Sequence, residues 1–75
     1  CVSLYNNLAH VSLLNNDFAN ALRHSRSALK IDESNTKALF RRGKAQKELK
    51  NYDEAMEDFE RWEMLVLGVT KWVWL

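Results

Sequence analysis

Proline is absent from this sequence, glycine occurs only twice, and no Gly/Ser-rich stretch interrupts it, so nothing marks a linker between domains or breaks a helix from within. Cysteine is equally scarce. Cys1 is the single thiol and only two histidines accompany it, which excludes a disulfide within one chain and leaves too few side chains for a four-ligand structural zinc site. No metal and no cofactor is expected. A formal net charge of +1 gives no bulk electrostatic reason to expect nucleic acid or an anionic membrane as partner. No apolar run reaches the ~20 residues that a bilayer-spanning helix needs. With 75 residues the chain is one small domain, and chains of this size bury only about 60% of the surface they expose when unfolded. Dense helical packing or a partner must supply the stability. The chain opens on Cys1 without a basic-then-apolar leader, which reads as an internal fragment of a reduced, cytoplasmic protein.

What is present favours helix. Ala, Leu, Glu, Lys and Arg dominate, and the expected class is all-α. Leu4, Leu8, Val11 and Leu14 recur at three-to-four spacing and predict one apolar face of a first helix over roughly residues 2–15. Asn15-Asn16-Asp17 ends it. Phe18, Ala21, Leu22, Ser25, Ala28 and Leu29 trace a second amphipathic helix that stops at Asp32-Glu33-Ser34-Asn35. A third opens near Thr36 and carries Leu39, Phe40, Gly43, Gln46 and Leu49. Asn51, with Glu54 three residues later, has the spacing of a capping box for a fourth helix, whose buried side is predicted as Tyr52, Ala55, Met56, Phe59 and Trp62.

Charge is unevenly distributed. From Lys30 to Lys50 seven Lys or Arg face three carboxylates, and from Asp53 to Glu63 six carboxylates face Arg61 alone. Opposite signs on successive helices imply that the two lie side by side. The halves of the chain also repeat with a period of 34 residues: Ala9 returns as Gly43, Phe18 as Tyr52 and Ala21 as Ala55. Small residues recur where two helices of a hairpin must approach closely, and aromatics fill the space beside them. A period of this length identifies stacked repeats.

The pattern resembles the tetratricopeptide repeat, with units at residues 2–35 and 36–69. The first unit supplies Tyr5, Leu8, Ala9, Ser12, Phe18, Ala21, Ser25, Ala28 and Glu33 to the family pattern; the second supplies Leu39, Arg42, Gly43, Gln46, Tyr52, Ala55, Phe59, Trp62 and Leu67. Two departures stand out: neither unit ends in proline, and Trp62 is bulky where the family usually has Ala. The resemblance implies two stacked antiparallel helix-turn-helix hairpins, with an apolar C-terminal extension over residues 64–75. It also implies that the first helix of each unit lines a concave, ligand-binding surface.

Lys37, Arg41, Lys44 and Glu48 fall on one face of the third helix, and Asn7 lies one period before Arg41. An amide, a point charge and a planar guanidinium fork make a good receptor for a carboxylate. The set resembles the carboxylate clamp of chaperone-binding tetratricopeptide domains, which grips the C-terminal Glu-Glu-Val-Asp of the 90-kDa and 70-kDa heat-shock chaperones. By that resemblance Asn7, Lys37 and Arg41 bind the peptide carboxylate, and two further clamp members would lie on a unit preceding Cys1. The stretch from Lys37 to Ala45 is similar to the last repeat of the immunophilin co-chaperones of FK506-binding type. His10, Phe40 and Lys44 are the candidate groove-lining residues, with Phe40 open to two readings: holding a ligand side chain or packing between helices. His10 is a candidate groove residue or an incidental surface group, and His24 is expected to be exposed.

No catalytic constellation is present. Cys1 has no partnered His and Asn, no Gly-rich phosphate loop occurs, and the carboxylates of the fourth helix read as a solvated face. The expected function is a non-enzymatic interaction module of a co-chaperone. Two repeats fall below the three or so usually needed for stability, so a homo-oligomer or a swapped pairing that buries the open flanks is expected; the rival function is a structural assembly module that oligomerises through those flanks and the apolar tail without recognising a peptide. A weaker rival is nucleic-acid binding by the basic third helix. The segment Met64–Leu75, apolar apart from Lys71, is expected either to cap the second unit or to mediate association.

Overall fold

Three short polar breaks divide residues 2–68, those that the computed structural model describes, into α1 (Val2–Leu14), α2 (Phe18–Ile31), α3 (Thr36–Glu48) and α4 (Tyr52–Leu67). No strand occurs among the described residues. Packing is between α1 and α2, α3 and α4, α2 and α3, and α1 and α3, so among the described helices α4 lies against α3 alone. This is the arrangement of two stacked helical hairpins.

The period extends to individual hydrogen bonds. In the first hairpin turn the amides of Asn15, Asn16 and Asp17 donate to the carbonyls of Val11, Leu13 and Ser12 at 3.0, 3.1 and 2.8 Å. In the second, Leu49, Lys50 and Asn51 donate to Ala45, Lys47 and Gln46 at 3.0, 3.0 and 2.8 Å. Both turns reverse through one left-handed residue, Asn16 at φ 59° and Lys50 at φ 68°. Those bonds satisfy the last carbonyls of α1 and α3, which have no partner inside their own helices.

The helix starts are not equivalent. The Asp17 side chain accepts from the Asn20 amide at the start of α2, and Asn35 Oδ1 accepts from the Ala38 amide at the start of α3, 3.0 Å away. Asn51 occupies the same position before α4, but its side chain makes no capping bond, so the expected Asn51–Glu54 box does not form. Glu54 instead accepts from Gln46 Nε2 at 3.2 Å. Gln46 is buried, and an amide donor removed from water competes strongly for the nearest carboxylate.

Alanine builds most of the core. Ala9, Ala21, Ala28, Ala38, Ala45 and Ala55 are all buried, and Leu29 and Leu39 complete the centre with Val2, Tyr5 and Trp62 packed around it. Small side chains bring helix axes close and leave little room for large ones. Gly43 takes this furthest: a Cβ there would stand 2.9 Å from the Phe59 ring, inside van der Waals contact. The oppositely charged α3 and α4 do lie side by side. One pair is deeply placed, with Arg42 Nε and Nη2 donating to the two oxygens of Asp58 at 2.8 and 2.7 Å. Asp58 is 5% exposed, which corrects the reading of the α4 carboxylates as a uniformly solvated face. The hydrogen bond to Asp58, outweighing the opposing effect of burial, raises the Arg42 pKa above its usual value.

Three further expectations are corrected. Leu4, Leu8, Val11 and Leu14 are exposed; α1 buries Asn6 and Ala9 instead. The reason lies in the repeat. Ala38 and Ala45, one period after Leu4 and Val11, are buried on a helix that packs against α2 on one side and α4 on the other, whereas among the described residues α1 has neighbours only in α2 and α3. On α4, Tyr52 and Met56 are exposed for the same reason, while Ala55 is buried and Phe59 and Trp62 are half-buried. His24 is half-buried rather than exposed, with its ring stacked 6.5 Å from that of Tyr5. Of the expected C-terminal extension, residues 64–67 form the last turn of α4 with exposed side chains and Gly68 closes the helix at φ 70°. Residues 69–75 and Cys1 lie outside the described residues.

Candidate functional site

Where α1 leans on α3, a polar network fixes one cation. Asn35, at the start of α3, uses Oδ1 twice: it accepts from the Ala38 amide at 3.0 Å and from Asn6 Nδ2 at 3.1 Å. Asn6 is buried, and its backbone carbonyl accepts from Arg41 Nη1 at 3.0 Å. The cap of α3, the middle of α1 and the guanidinium of Arg41 are thereby one connected unit. Burial lowers the Arg41 pKa, because the charged form has lost water. Among the described residues no carboxylate pairs with Arg41 or Lys37, so Arg41 is a half-buried cation whose only side-chain partner is a neutral carbonyl.

Arg41 borders a groove of about 270 Å3 lined by Thr36, Lys37, Phe40, Arg41 and Trp62. One edge is cationic and the other aromatic. Phe40 is 43% exposed in the groove, and its ring packs between helices, 5.6 Å from that of Trp62 and 5.7 Å from that of Phe59. Such a groove offers charge-assisted hydrogen bonds to an anion and, one helical turn away, a flat surface for an apolar group.

Of the residues singled out by sequence, Lys37, Phe40 and Arg41 are brought together here. Asn7, His10 and Lys44 are exposed and do not line this groove. Asn6, Asn35, Thr36 and Trp62 were not foreseen as site residues. The bulk of Trp62 at a position where the repeat usually has Ala was a usable signal; nothing in the sequence distinguished Asn6 from Asn7. Among the described residues there is no group of three His, Cys, Asp or Glu able to hold a metal ion, and no helix is long and apolar enough to cross a membrane.

The comparison with known proteins agrees with the repeated hairpin. The family profile for the tetratricopeptide repeat matches residues 2–35 and 36–61. Tetratricopeptide repeat protein 12 of Mus musculus is 43% identical over 60 residues, 80% of this chain and 8% of that protein. FK506-binding protein 59 of Drosophila melanogaster is 32% identical over 60 residues, 80% of this chain and 14% of that protein. The chain therefore spans well under a quarter of the length of either relative. With its duplicated turns, its alanine-lined helix contacts and both units matched, this chain belongs to the tetratricopeptide-repeat family.

Proposed function

We propose that this protein-interaction module binds the C-terminal carboxylate of a partner peptide along the Lys37–Arg41 groove, in the manner of a co-chaperone docking on the 90-kDa or 70-kDa heat-shock chaperone. The observation that carries the reading is Arg41: half-buried, without a carboxylate partner among the described residues, and aimed by a bond to the Asn6 carbonyl. A terminal carboxylate restores what burial took from that guanidinium, Lys37 adds a second cation, and the Phe40–Trp62 wall takes an apolar side chain of the peptide. Asn7, exposed on α1 one period before Arg41 and outside the lining of this groove, is the further uncharged donor that this reading assigns to a peptide extending beyond it. The similarity to FK506-binding protein 59 supports a co-chaperone setting. Charge-assisted hydrogen bonds contribute about 1.5–3 kcal/mol each, and ordering the peptide offsets part of that, so affinity is micromolar at best.

The test is calorimetric titration with a peptide ending in Glu-Glu-Val-Asp, its C-terminally amidated twin, and an Arg41→Ala variant. Binding that needs both the free carboxylate and Arg41 supports the proposal. Equal binding of the amidated peptide overturns it.

A second reading has its own observation. Leu4, Leu8 and Val11 on α1, and Tyr52, Met56 and residues 64–67 on α4, are exposed apolar surfaces at the two ends of the stack. Patches of this kind favour self-association through the open flanks. Sedimentation at increasing concentration separates the readings: a folded monomer at micromolar concentration removes the assembly role, and loss of assembly on deleting residues 66–75, with peptide binding retained, assigns the two functions to different surfaces.

A further inference from the structure

A second groove, larger than the Lys37–Arg41 groove, shares no residue with it. Because among the described helices α4 packs on α3 alone, a groove of about 580 Å3 is left between α2 and α4. Its floor is Leu29, Leu39 and Arg42, the last held rigid by its two bonds to Asp58. Its walls carry Arg23, Arg26 and Lys30 from α2 and Arg61 from α4, against Glu33 as the one carboxylate in the lining. Among the described residues none of those four wall cations forms an ion pair. Arg42 Nη1 likewise carries no hydrogen bond among the described residues.

Folding does not explain this concentration of charge. One period later the positions of Arg23, Arg26 and Lys30 are Glu57, Glu60 and Met64, so the repeat does not require cations there. Unpaired like charges around one concavity repel each other and raise the local potential, which favours an anion of high charge density. Three of the four wall cations are arginines, whose planar forks suit phosphate oxygens, with Lys30 as a point charge beside them. Arg23 to Lys30 spans about 10 Å along the helix, a reach that phosphates around a single ring can match. The lining contains no aromatic residue and no methionine, and its two leucines are 6% and 1% exposed. There is accordingly little to grip the side chains of a peptide. The volume lies within the range of small-molecule sites, about 300–1,000 Å3.

We propose that the α2–α4 groove binds a compact, multiply phosphorylated ligand through Arg23, Arg26, Lys30 and Arg61, with Arg42 as the fixed cation at its floor. A soluble polyphosphorylated ring and a phosphoinositide headgroup present the same chemistry, and the experiment distinguishes them. The full chain is titrated calorimetrically with inositol hexakisphosphate at low and physiological salt, alongside an Arg26→Ala/Lys30→Ala double variant, an Arg61→Ala variant and a Lys37→Ala/Arg41→Ala control from the other groove. Vesicles containing phosphatidylinositol bisphosphate form a second arm, and circular dichroism confirms that each variant is folded. Expected is binding that weakens with salt, falls roughly tenfold in the α2 double variant and is unchanged in the control. Vesicle binding that inositol hexakisphosphate competes away identifies the headgroup as a source of the ligand; failure to bind vesicles identifies the soluble one. Absence of binding at millimolar inositol hexakisphosphate, loss in the Lys37/Arg41 control with none in the α2 variant, or equally tight binding of an acidic peptide overturns the proposal.

Discussion

Replacing Asp58 by alanine removes a single carboxylate and leaves Arg42 with nothing to accept its two donors. The bonds lost are 2.8 and 2.7 Å long, and the side chains are 26% and 7% exposed for Arg42 and Asp58. Breaking a fully buried pair from one side costs about 3–5 kcal/mol; since Arg42 keeps a quarter of its surface in water, the expected loss is about 2–3 kcal/mol. A chain this size has roughly 4–11 kcal/mol of stability in total. At about 4–8 °C per kcal/mol for a domain of this length, the Tm falls by roughly 8–24 °C, read by circular dichroism in thermal and urea unfolding. The double variant Arg42→Met/Asp58→Leu should recover most of the loss, because it removes both charges and both desolvation penalties together. The hydrogen bond that Arg42 donates to Asp58 raises the Arg42 pKa, so the guanidinium's contribution is complete below the ordinary arginine range and is lost only as pH climbs through the higher folded value. Across neutral and mildly alkaline pH the difference between the wild-type chain and Asp58→Ala should therefore owe nothing to Arg42 titrating. A loss under about 0.5 kcal/mol in Asp58→Ala, the level of an exposed pair, refutes the assignment of this pair as buried and structural, and so does a double variant no more stable than the single one.

Gly43→Ala should destabilise the chain by about 1 kcal/mol despite alanine's higher helix propensity, since the new Cβ meets the Phe59 ring; a Phe59→Leu background should reduce that cost. Asn35→Ala is expected to cost about 1.5–3 kcal/mol, because the Ala38 and Asn6 donors both lose their acceptor, whereas Asn51→Ala, which breaks no cap bond, should cost under about 0.5 kcal/mol; urea unfolding compares them directly. Lys50→Gly should stabilise by up to about 1 kcal/mol by relieving a side chain at φ 68°, with a smaller gain for Asn16→Gly because asparagine tolerates that conformation better. In peptide titration Arg41→Ala should weaken carboxylate binding by roughly tenfold to a hundredfold, the equivalent of about 1.5–3 kcal/mol; Arg41→Lys should not restore it fully, since a point charge cannot both hold the Asn6 carbonyl and fork onto a carboxylate.

How far the site could be read in advance depended on the residue. Lys37 and Arg41 follow from spacing on one helix and Phe40 from the resemblance to the repeat family, and the three do line one groove. Asn6 and Asn35 escaped notice as site residues because the bond that ties the α3 cap to α1, and through it to Arg41, spans 29 residues of chain. The same limit explains the reversed reading of α1. Leu4, Leu8, Val11 and Leu14 form a true apolar stripe, but periodicity reports that a stripe exists and not which neighbour covers it. Asp58 was hidden among six carboxylates on α4 because only the position of Arg42 separates the one that is buried from those in water.

The sequence by itself determined the four helices, the polar breaks between them, the 34-residue period and the small residues at the hairpin contacts. These are properties of a single segment or of its copy: backbone propensity, cap chemistry and the space a missing side chain leaves. Tertiary structure decided which helix faces are covered, which of two neighbouring asparagines is buried, which arginine pairs with a carboxylate and which is left a neutral carbonyl. Burial and pairing belong to two elements at once, and the free energy of each depends on distances that no one-dimensional pattern contains.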